Sequence, residues 1–565
     1  MKLIRTAFRN CAIVTLPVFA CTQSYAQINI SCDSINRPAL ASFDFTEDIS
    51  RWGTQESFDL DSTHYKIRNI SVNRLPIFDE ESEDENNAAF RWINRVHTPT
   101  HEKVILHQLL FEKGSEVNSQ ILSENERLLR QQKYAADAKI RVLNKCGDEV
   151  DLEVVTREVW TLVPGLSFHS SGGDNSLEFG IRDSNALGTG QRVSAFYSSD
   201  TNRNSYKLSF ENPNIGSTHR ILKTKAEKSS DGFHYLADYS LPFHSLDARE
   251  AWRFSFESTK EIIPQYQLGK KITDVQRDKE NLEISRGFSA GLKDGIAQRF
   301  VIGLRKDKYN YSRSNRLQSP QTMPQDLNLI YPFVEFESIE DKFALAYNIS
   351  QIHRTEDLAK GKQLRFSIGY DPTGDQHLVL QGNASDTLLS QPKMLLQWKA
   401  DWYGRWNRQD NAWEDTLINY DLDFHRGQTE KRTLYLGLSA SKAIHLNSSQ
   451  QLTLGGSNGL RGFESHYLNG DALLKFTIEE RYFSDYQLLQ LLRVGYAGFV
   501  DVGKVYGDPQ WGADRVYKNV GLGLRLAPSK TDEGRIIHID LAYPIGANIL
   551  GGKSLQLVVE AKTSF

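Results

Sequence analysis

The sequence predicts a β-barrel membrane protein of about 16 antiparallel strands behind a small α+β domain on the periplasmic side. Three observations carry this. The first residues have the make-up of an export signal. Residues 64–163 mix strand and helix periods. After Pro164 no long amphipathic helix occurs, only segments of about ten alternating residues separated by Gly, Asn, Asp, Ser and Pro. Composition narrows the class from the other side. The 67 Lys and Arg against 71 Asp and Glu leave no basic face for a nucleic acid. Mean hydropathy is −0.48, and beyond the N-terminus no run of about 20 apolar residues could cross a bilayer as a helix. A barrel passes both tests, because apolar-out, polar-in alternation averages away. The aromatic share of 11% suits interfacial girdles.

Residues 1–26 read as a signal peptide, with Lys2, Arg5 and Arg9, an apolar stretch from Cys11 to Cys21, and Ser24-Tyr25-Ala26 before the cut, so the mature chain is expected to start at Gln27. Cys21, preceded by Val18-Phe19-Ala20, is a lipoprotein-type alternative. Losing three cations takes the formal charge from −4 to −7. Cys32 and Cys146 remain in an oxidising compartment, either bridged to each other or as separate thiols, and no CxxC pair is present for metal or redox work.

Residues 27–63 are polar and aperiodic, an extension or linker. Tyr65–Arg74 reads as a strand through Ile67, Ile70 and Val72. The acidic run 79–85 reads as a solvated loop before a helix with Ala88/Ala89, Trp92/Ile93 and Val96 on one face. Thr98-Pro99 predicts a restart by cap and first-turn proline, with Ile105/Leu106 and Leu109/Leu110 as the apolar face and Gly114 as the stop. Asn118 caps a third helix carrying Ile121/Leu122 and Leu128/Leu129. Lys139–Leu143, a turn at 144–148, and alternating Val150, Leu152 and Val154 close a domain over 64–163.

The barrel, 164–565, is clearest in its last five segments. Leu474, Phe476 and Ile478 oppose Lys475, Thr477, Glu479 and Arg481. Val500 and Val502 oppose Phe499, Asp501 and Gly503. Val520, Leu522 and Leu524 oppose Gly521, Gly523 and Arg525. Ile539 and Leu541 oppose Asp540. Leu557, Val559 and Phe565 oppose Glu560 and Lys562. A soluble sandwich also alternates. Opposite charges at strand centres and a terminal aromatic on the apolar face favour the barrel. The polar stretches Lys260–Asn281 and Tyr311–Gln325 are expected as outer loops.

Specific residues add a resemblance. Gly455-Gly456-Ser457-Asn458-Gly459-Leu460-Arg461-Gly462-Phe463 and the later Phe499-Val500-Asp501-Val502-Gly503 resemble the loop and strand motifs of the BamA/TamA superfamily, the bacterial surface antigen family of POTRA-bearing outer-membrane barrels. Asn185–Gly190 is similar to that family's turn between the second and third strands, and 64–163 resembles a single POTRA domain where assembly factors usually carry several. The resemblance implies that Arg461 folds into the lumen and pairs with Asp501. Glu479, on the same polar face, is a further candidate partner, and Leu460, Gly462, Phe463, Phe499 and Gly503 complete the latch. A guanidinium grips carboxylates bidentately, and Gly462 permits a sharp turn. Phe565 then reads as the signal by which the barrel itself is assembled.

Enzyme readings find little. Gly455–Gly459 fits GxSxG around Ser457, but no helix follows it, and the 14 histidines include no HExxH. The expectation is a non-enzymatic insertase or translocase of the Gram-negative outer membrane, needing no cofactor. Its partners are unfolded or exported protein clients, outer-membrane lipid and periplasmic accessory proteins. A two-partner secretion transporter for one exoprotein, and a passive porin or surface receptor, are the alternatives.

Overall fold

A computed structural model describes residues 33–34, 60, 64–390, 393–507, 515–532, 534–546 and 554–562. The expected signal peptide, Cys32, most of the extension 27–63 and Phe565 lie outside the described residues.

The N-terminal α+β domain is a five-stranded sheet in the order β1-β4-β5-β2-β3. Its elements are β1 (Asp33–Ser34), β2 (Tyr65–Leu75), α1 (Ala88–Val96), α2 (Glu102–Leu106), β3 (Glu116–Val117), α3 (Ser119–Arg130), β4 (Ala135–Cys146) and β5 (Glu149–Glu158). Ile67, Leu122, Leu129, Val150, Leu152 and Val154 form its core with Ile105. The Asn87 and Asn118 side chains accept the Phe90 and Ile121 N–H groups, each at 2.9 Å, and set the starts of α1 and α3. One expected start moves. Thr98-Pro99 does not open a helix. Asn185 Nδ2 and the Glu158 carboxylate bind Thr100, holding this segment extended, and α2 begins only at Glu102. Cys146 is disulfide-bonded, and Asp33–Ser34 pairs with Lys145 and Asn144 beside it.

The rest is a closed antiparallel barrel of twenty strands, not about sixteen. Its first ten are β6 (Leu162–Ser171), β7 (Asp174–Asp183), β8 (Arg192–Asp200), β9 (Asn204–Ile215), β10 (Arg220–Ser229), β11 (Gly232–Leu241), β12 (Glu250–Gln267), β13 (Lys270–Lys293), β14 (Ile296–Arg313) and β15 (Leu327–Glu340). A separate hairpin, β16 (Phe343–Tyr347) and β17 (Thr355–Ala359), interrupts the wall. Then follow β18 (Gln363–Tyr370), β19 (His377–Ser390), β20 (Met394–Asn407), β21 (Ala412–Gly427) and β22 (Arg432–Ile444). After a second small hairpin, β23 (Leu452–Leu454) and β24 (Leu468–Gly470), come β25 (Ala472–Leu488), β26 (Leu492–Tyr506), β27 (Tyr517–Pro528), β28 (Ile536–Ile545) and β29 (Gln556–Lys562). Sixteen strands would need long connections throughout. Instead β6–β7, β10–β11, β12–β13 and β13–β14 join through two residues each. Lys260–Asn281 is likewise not a loop. Its two arms are strand, paired from Lys260↔Asp278 to Gln267↔Lys270, so the hairpin projects beyond the barrel wall.

Alternation sorts the wall as expected of a lipid-facing barrel. Leu522 is 73% exposed while Arg525, three residues on, is fully buried. Leu541, Tyr543 and Ile545 point out while His538, Asp540 and Ala542 point in. Leu166, Phe168, Phe179, Ile302, Leu304 and Val334 extend the exposed apolar belt. Inside, cross-strand pairs such as Arg299–Glu337 and Arg305–Glu283 line the lumen. The N-terminal domain sits at one mouth, called here the domain end.

Candidate functional site

At the far end of the barrel, residues 445–471 turn back into the lumen instead of projecting from it. Leu454, Leu460, Phe463, Tyr467 and Leu468 pack with Val505 and Tyr517 of the wall. Gly503 makes room: a Cβ there would come within 2.7 Å of Leu454 and 3.2 Å of Leu460. Gly462 does the same against β27, where a Cβ would lie 2.6 Å from that of Asn519.

This packing delivers Arg461 to a set of carboxylates. Its Nε and Nη2 donate to the two oxygens of Asp501, both at 2.9 Å, and Nη1 donates to Glu479 at 3.0 Å and Asp540 at 3.1 Å. The guanidinium lies 3.2 Å from the Phe499 ring centroid. Asp501 also accepts from Thr477 and Asn519, and Arg525 and Arg481 bind Asp540 and Glu479 respectively. Three guanidiniums thus meet three carboxylates, with Arg461 7% exposed and Asp540 fully buried. The seat is buried from bulk solvent, so each charge depends on its neighbours.

Of the residues expected from sequence, Leu460, Arg461, Gly462, Phe463, Glu479, Phe499, Asp501 and Gly503 all converge here. Asp540 and Arg525 were missed as members, as were Thr477 and Asn519. Period-two alternation places all four on the lumen face, but which strands stand opposite the loop is a matter of barrel closure. Ser457 is exposed in a single 3-10 turn, Gly456–Asn458.

The loop also reaches the barrel's first hairpin. Ser465 N–H donates to the Gly172 carbonyl at 2.8 Å and its hydroxyl to that of Ser171 at 2.7 Å. β6 is one side of the closure with β29, and there the ladder shrinks to one pair, Val559↔Ser170, among the described residues. The neighbouring β28–β29 contact holds seven. The looped-in latch therefore touches the shortest barrel ladder among the described residues.

The domain end is closed differently. The hairpin 343–359 lies across the mouth, burying Ala346, Ile349 and Leu358 against Leu395, and Ile352 against Phe483, Ala497, Ala527 and Ile536. Glu356 holds its tip by accepting the Ile349, Ser350 and Gln351 N–H groups. Arg481 donates to Ile349 O at 3.4 Å, so the far-end seat and this hairpin share a residue. From the other side helix α3 docks on it. Gln120 binds Asp341 (3.0 Å), Arg127 lies 3.6 Å from the Phe343 ring centroid, and Arg130 grips Asp357 at 2.7 and 3.0 Å. Glu124 accepts the Leu246 N–H of the β11–β12 connection at 2.7 Å. These four side chains stand at i, i+4, i+7 and i+10 and form one helix face.

One sheet edge of the domain stays open. β2 pairs with β5 along its length, but β3 covers only Tyr65 and Lys66, so Asn69–Leu75 has no strand partner on that side among the described residues. Asn69 and Ile70 border a cavity of about 1040 Å³ between the domain and the turns at 217–219 and 244–248.

No family model and no curated protein matches the chain. Among solved structures, BamA from Haemophilus ducreyi lacking POTRA domains 1–3 is 13% identical, covering 88% of this chain and 83% of that one, at a TM-score of 0.37. CdiB from Acinetobacter baumannii is 13% identical over 88% and 73% (0.39). The FrpB iron transporter from Neisseria meningitidis is 7% identical over 75% and 86% (0.40). These low scores lie close together and do not distinguish among the three barrels.

Proposed function

We propose that the protein is a non-enzymatic, protein-translocating barrel of the Gram-negative outer membrane, with its N-terminal domain acting as a POTRA-like unit in the periplasm. The observation that carries this reading is the seam, a single ladder pair among the described residues beside longer ladders in the rest of the wall, touched by a loop held inside the lumen. A passive pore needs neither. Opening the seam costs little in lost backbone bonds and exposes two strand edges, which a client strand can satisfy as it leaves sideways into lipid. The free edge of β2 suits the preceding step. An extended client adds to it by main-chain hydrogen bonds, which read little sequence, beside the cavity that turns of the barrel also line. Neither step requires a cofactor, since burial of the client's apolar face supplies the driving force.

The test is a cysteine pair at the seam, Ser170→Cys with Val559→Cys. Oxidation is expected to stop insertion of barrel clients in reconstituted vesicles, and reduction to restore it. Unchanged insertion by the locked protein overturns lateral release. If a soluble exoprotein still crosses the locked barrel, transport runs through the lumen and the two-partner secretion reading takes its place.

A further inference from the structure

A second cavity, of about 500 Å³, lies where the N-terminal domain, the hairpin 343–359 and the β27–β28 turn meet. Arg354 and Arg493 both line it. Arg493 Nη1 donates to the carbonyls of Ile352 and His353, the two residues before Arg354, while Arg354 Nη1 lies beside Gly534 of the β27–β28 turn, 3.0 Å from where a Cβ there would stand. Neither has a carboxylate partner within ion-pair distance among the described residues, and Arg354 makes no hydrogen bond there. The carboxylates at this cavity are committed elsewhere. Glu85 holds Lys530 at 2.6 Å, Asp137 binds Thr355, Glu158 binds Thr100, and Asp79 accepts the Glu81 N–H.

Two half-buried cations in one cavity, with no carboxylate in ion-pair contact among the described residues, repel each other and forgo the strongest bonds a guanidinium makes. We propose that this cavity is a phosphomonoester-binding site, with Arg354 and Arg493 as its forks. Two guanidiniums free of direct ion pairs among the described residues match the charge of about −1.5 to −2 on a phosphomonoester near neutral pH. The planar donor forks match its oxygens, and the cavity exceeds what a carboxylate would fill. The group comes either as free phosphate or on a lipid headgroup. The proposal is independent of what the barrel transports. Bound phosphate would tie hairpin, domain and barrel wall together at one point, since Arg354 belongs to the first, Arg493 to the third, and Ile77 and Arg157 of the domain close the cavity.

The test uses the full-length protein and hydrogen exchange at 351–355. One arm adds inorganic phosphate to the protein in detergent. The other compares nanodiscs of phosphatidylcholine with and without phosphatidic acid. Protection by phosphate is expected if the free ion is the ligand, and protection only in phosphatidic acid discs if a lipid supplies it. Arg354→Gln should weaken the effective probe by about tenfold or more, the loss of a charge-assisted bond, with normal heat modifiability because Arg354 makes no hydrogen bond or ion pair among the described residues. Arg249→Gln, at an exposed pair away from the cavity, should behave as wild type. No protection by either probe in the wild type, or full protection in Arg354→Gln, overturns the site.

Discussion

The two ends of the lumen are closed by opposite means. At the far end a loop is pinned through one arginine into a buried knot of three carboxylates, behind a small apolar cluster. At the domain end a hairpin lies on apolar wall residues and is fixed to a separate domain by dispersed polar contacts, of which Arg130–Asp357 is the best formed. A single buried hub is strong and all-or-none. Separate contacts spread along a helix face can give way one at a time. The far end is therefore expected to release as a latch and the domain end as a graded plug.

The comparison breaks most visibly at the hub. Arg461→Ala leaves Asp501, Glu479 and Asp540 short of a cation, and breaking a buried pair costs roughly 3–5 kcal/mol. Arg481 and Arg525 remain, so the barrel survives. Heat modifiability should stay normal while hydrogen exchange across 449–470 and pore conductance rise sharply, with Glu464→Ala as an unaffected control. A loop equally protected in Arg461→Ala would show that the apolar cluster alone holds it.

Gly462→Ala probes the same loop sterically. The new Cβ meets Asn519 at 2.6 Å in a packed site, and overpacking costs about 1–3 kcal/mol. Exchange in the loop should rise less than in Arg461→Ala, and the two together should exceed neither sum nor hub loss by much, because both release one element.

At the domain end Asp357→Asn keeps shape and removes charge. With the carboxylate partly exposed, the loss should be about 1 kcal/mol, read as faster exchange at 343–359 with the far-end loop unchanged. Loosening of both ends together would mean that Arg481, which touches both, couples them tightly.

The smallest expected effect is a pH dependence, of opposite sign at two contacts of the domain. Burial pushes the Glu124, Asp137 and Glu356 carboxyls above their ordinary range, so the folded junction takes up protons before the unfolded chain does. Their burial penalty is relieved as pH falls, and the α3–hairpin contact should tighten in mild acid. Burial, and then neighbouring His244, push stacked His219 down to about 4. Between its ordinary value and 4 the unfolded state binds the proton first, so the contact at 217–219 should loosen as pH falls. Exchange at pH 7 and pH 5 checks both signs, and Asp137→Asn should flatten part of the first.

Much of the site was legible because a strand's period of two assigns faces without knowing its neighbours. Asp501, Glu479, Asp540 and Arg525 could each be placed on the lumen side, and the motif around Arg461 supplied the loop. The strand count was not legible, because alternation continues unchanged where β12 and β13 run beyond the wall, and chain length says nothing of turn length. The hairpin 343–359 went unread for a related reason. Its residues bury against Phe483, Ala497 and Ile536, more than 120 positions away, and carry no local period of their own. Helix α3 shows the division in one element. Its apolar stripe, Leu122 and Leu129, follows from sequence alone, since a helix must bury one face. Its other face, Gln120, Glu124, Arg127 and Arg130, is polar, and nothing in the local sequence names a partner for it. Only closure of the barrel, which sets the 246, 341, 343 and 357 positions around one mouth, made that face a docking surface. Local periodicity determines which way each side chain points; which partner it meets is decided by long-range closure, whose loop entropy and geometry no short window of sequence contains.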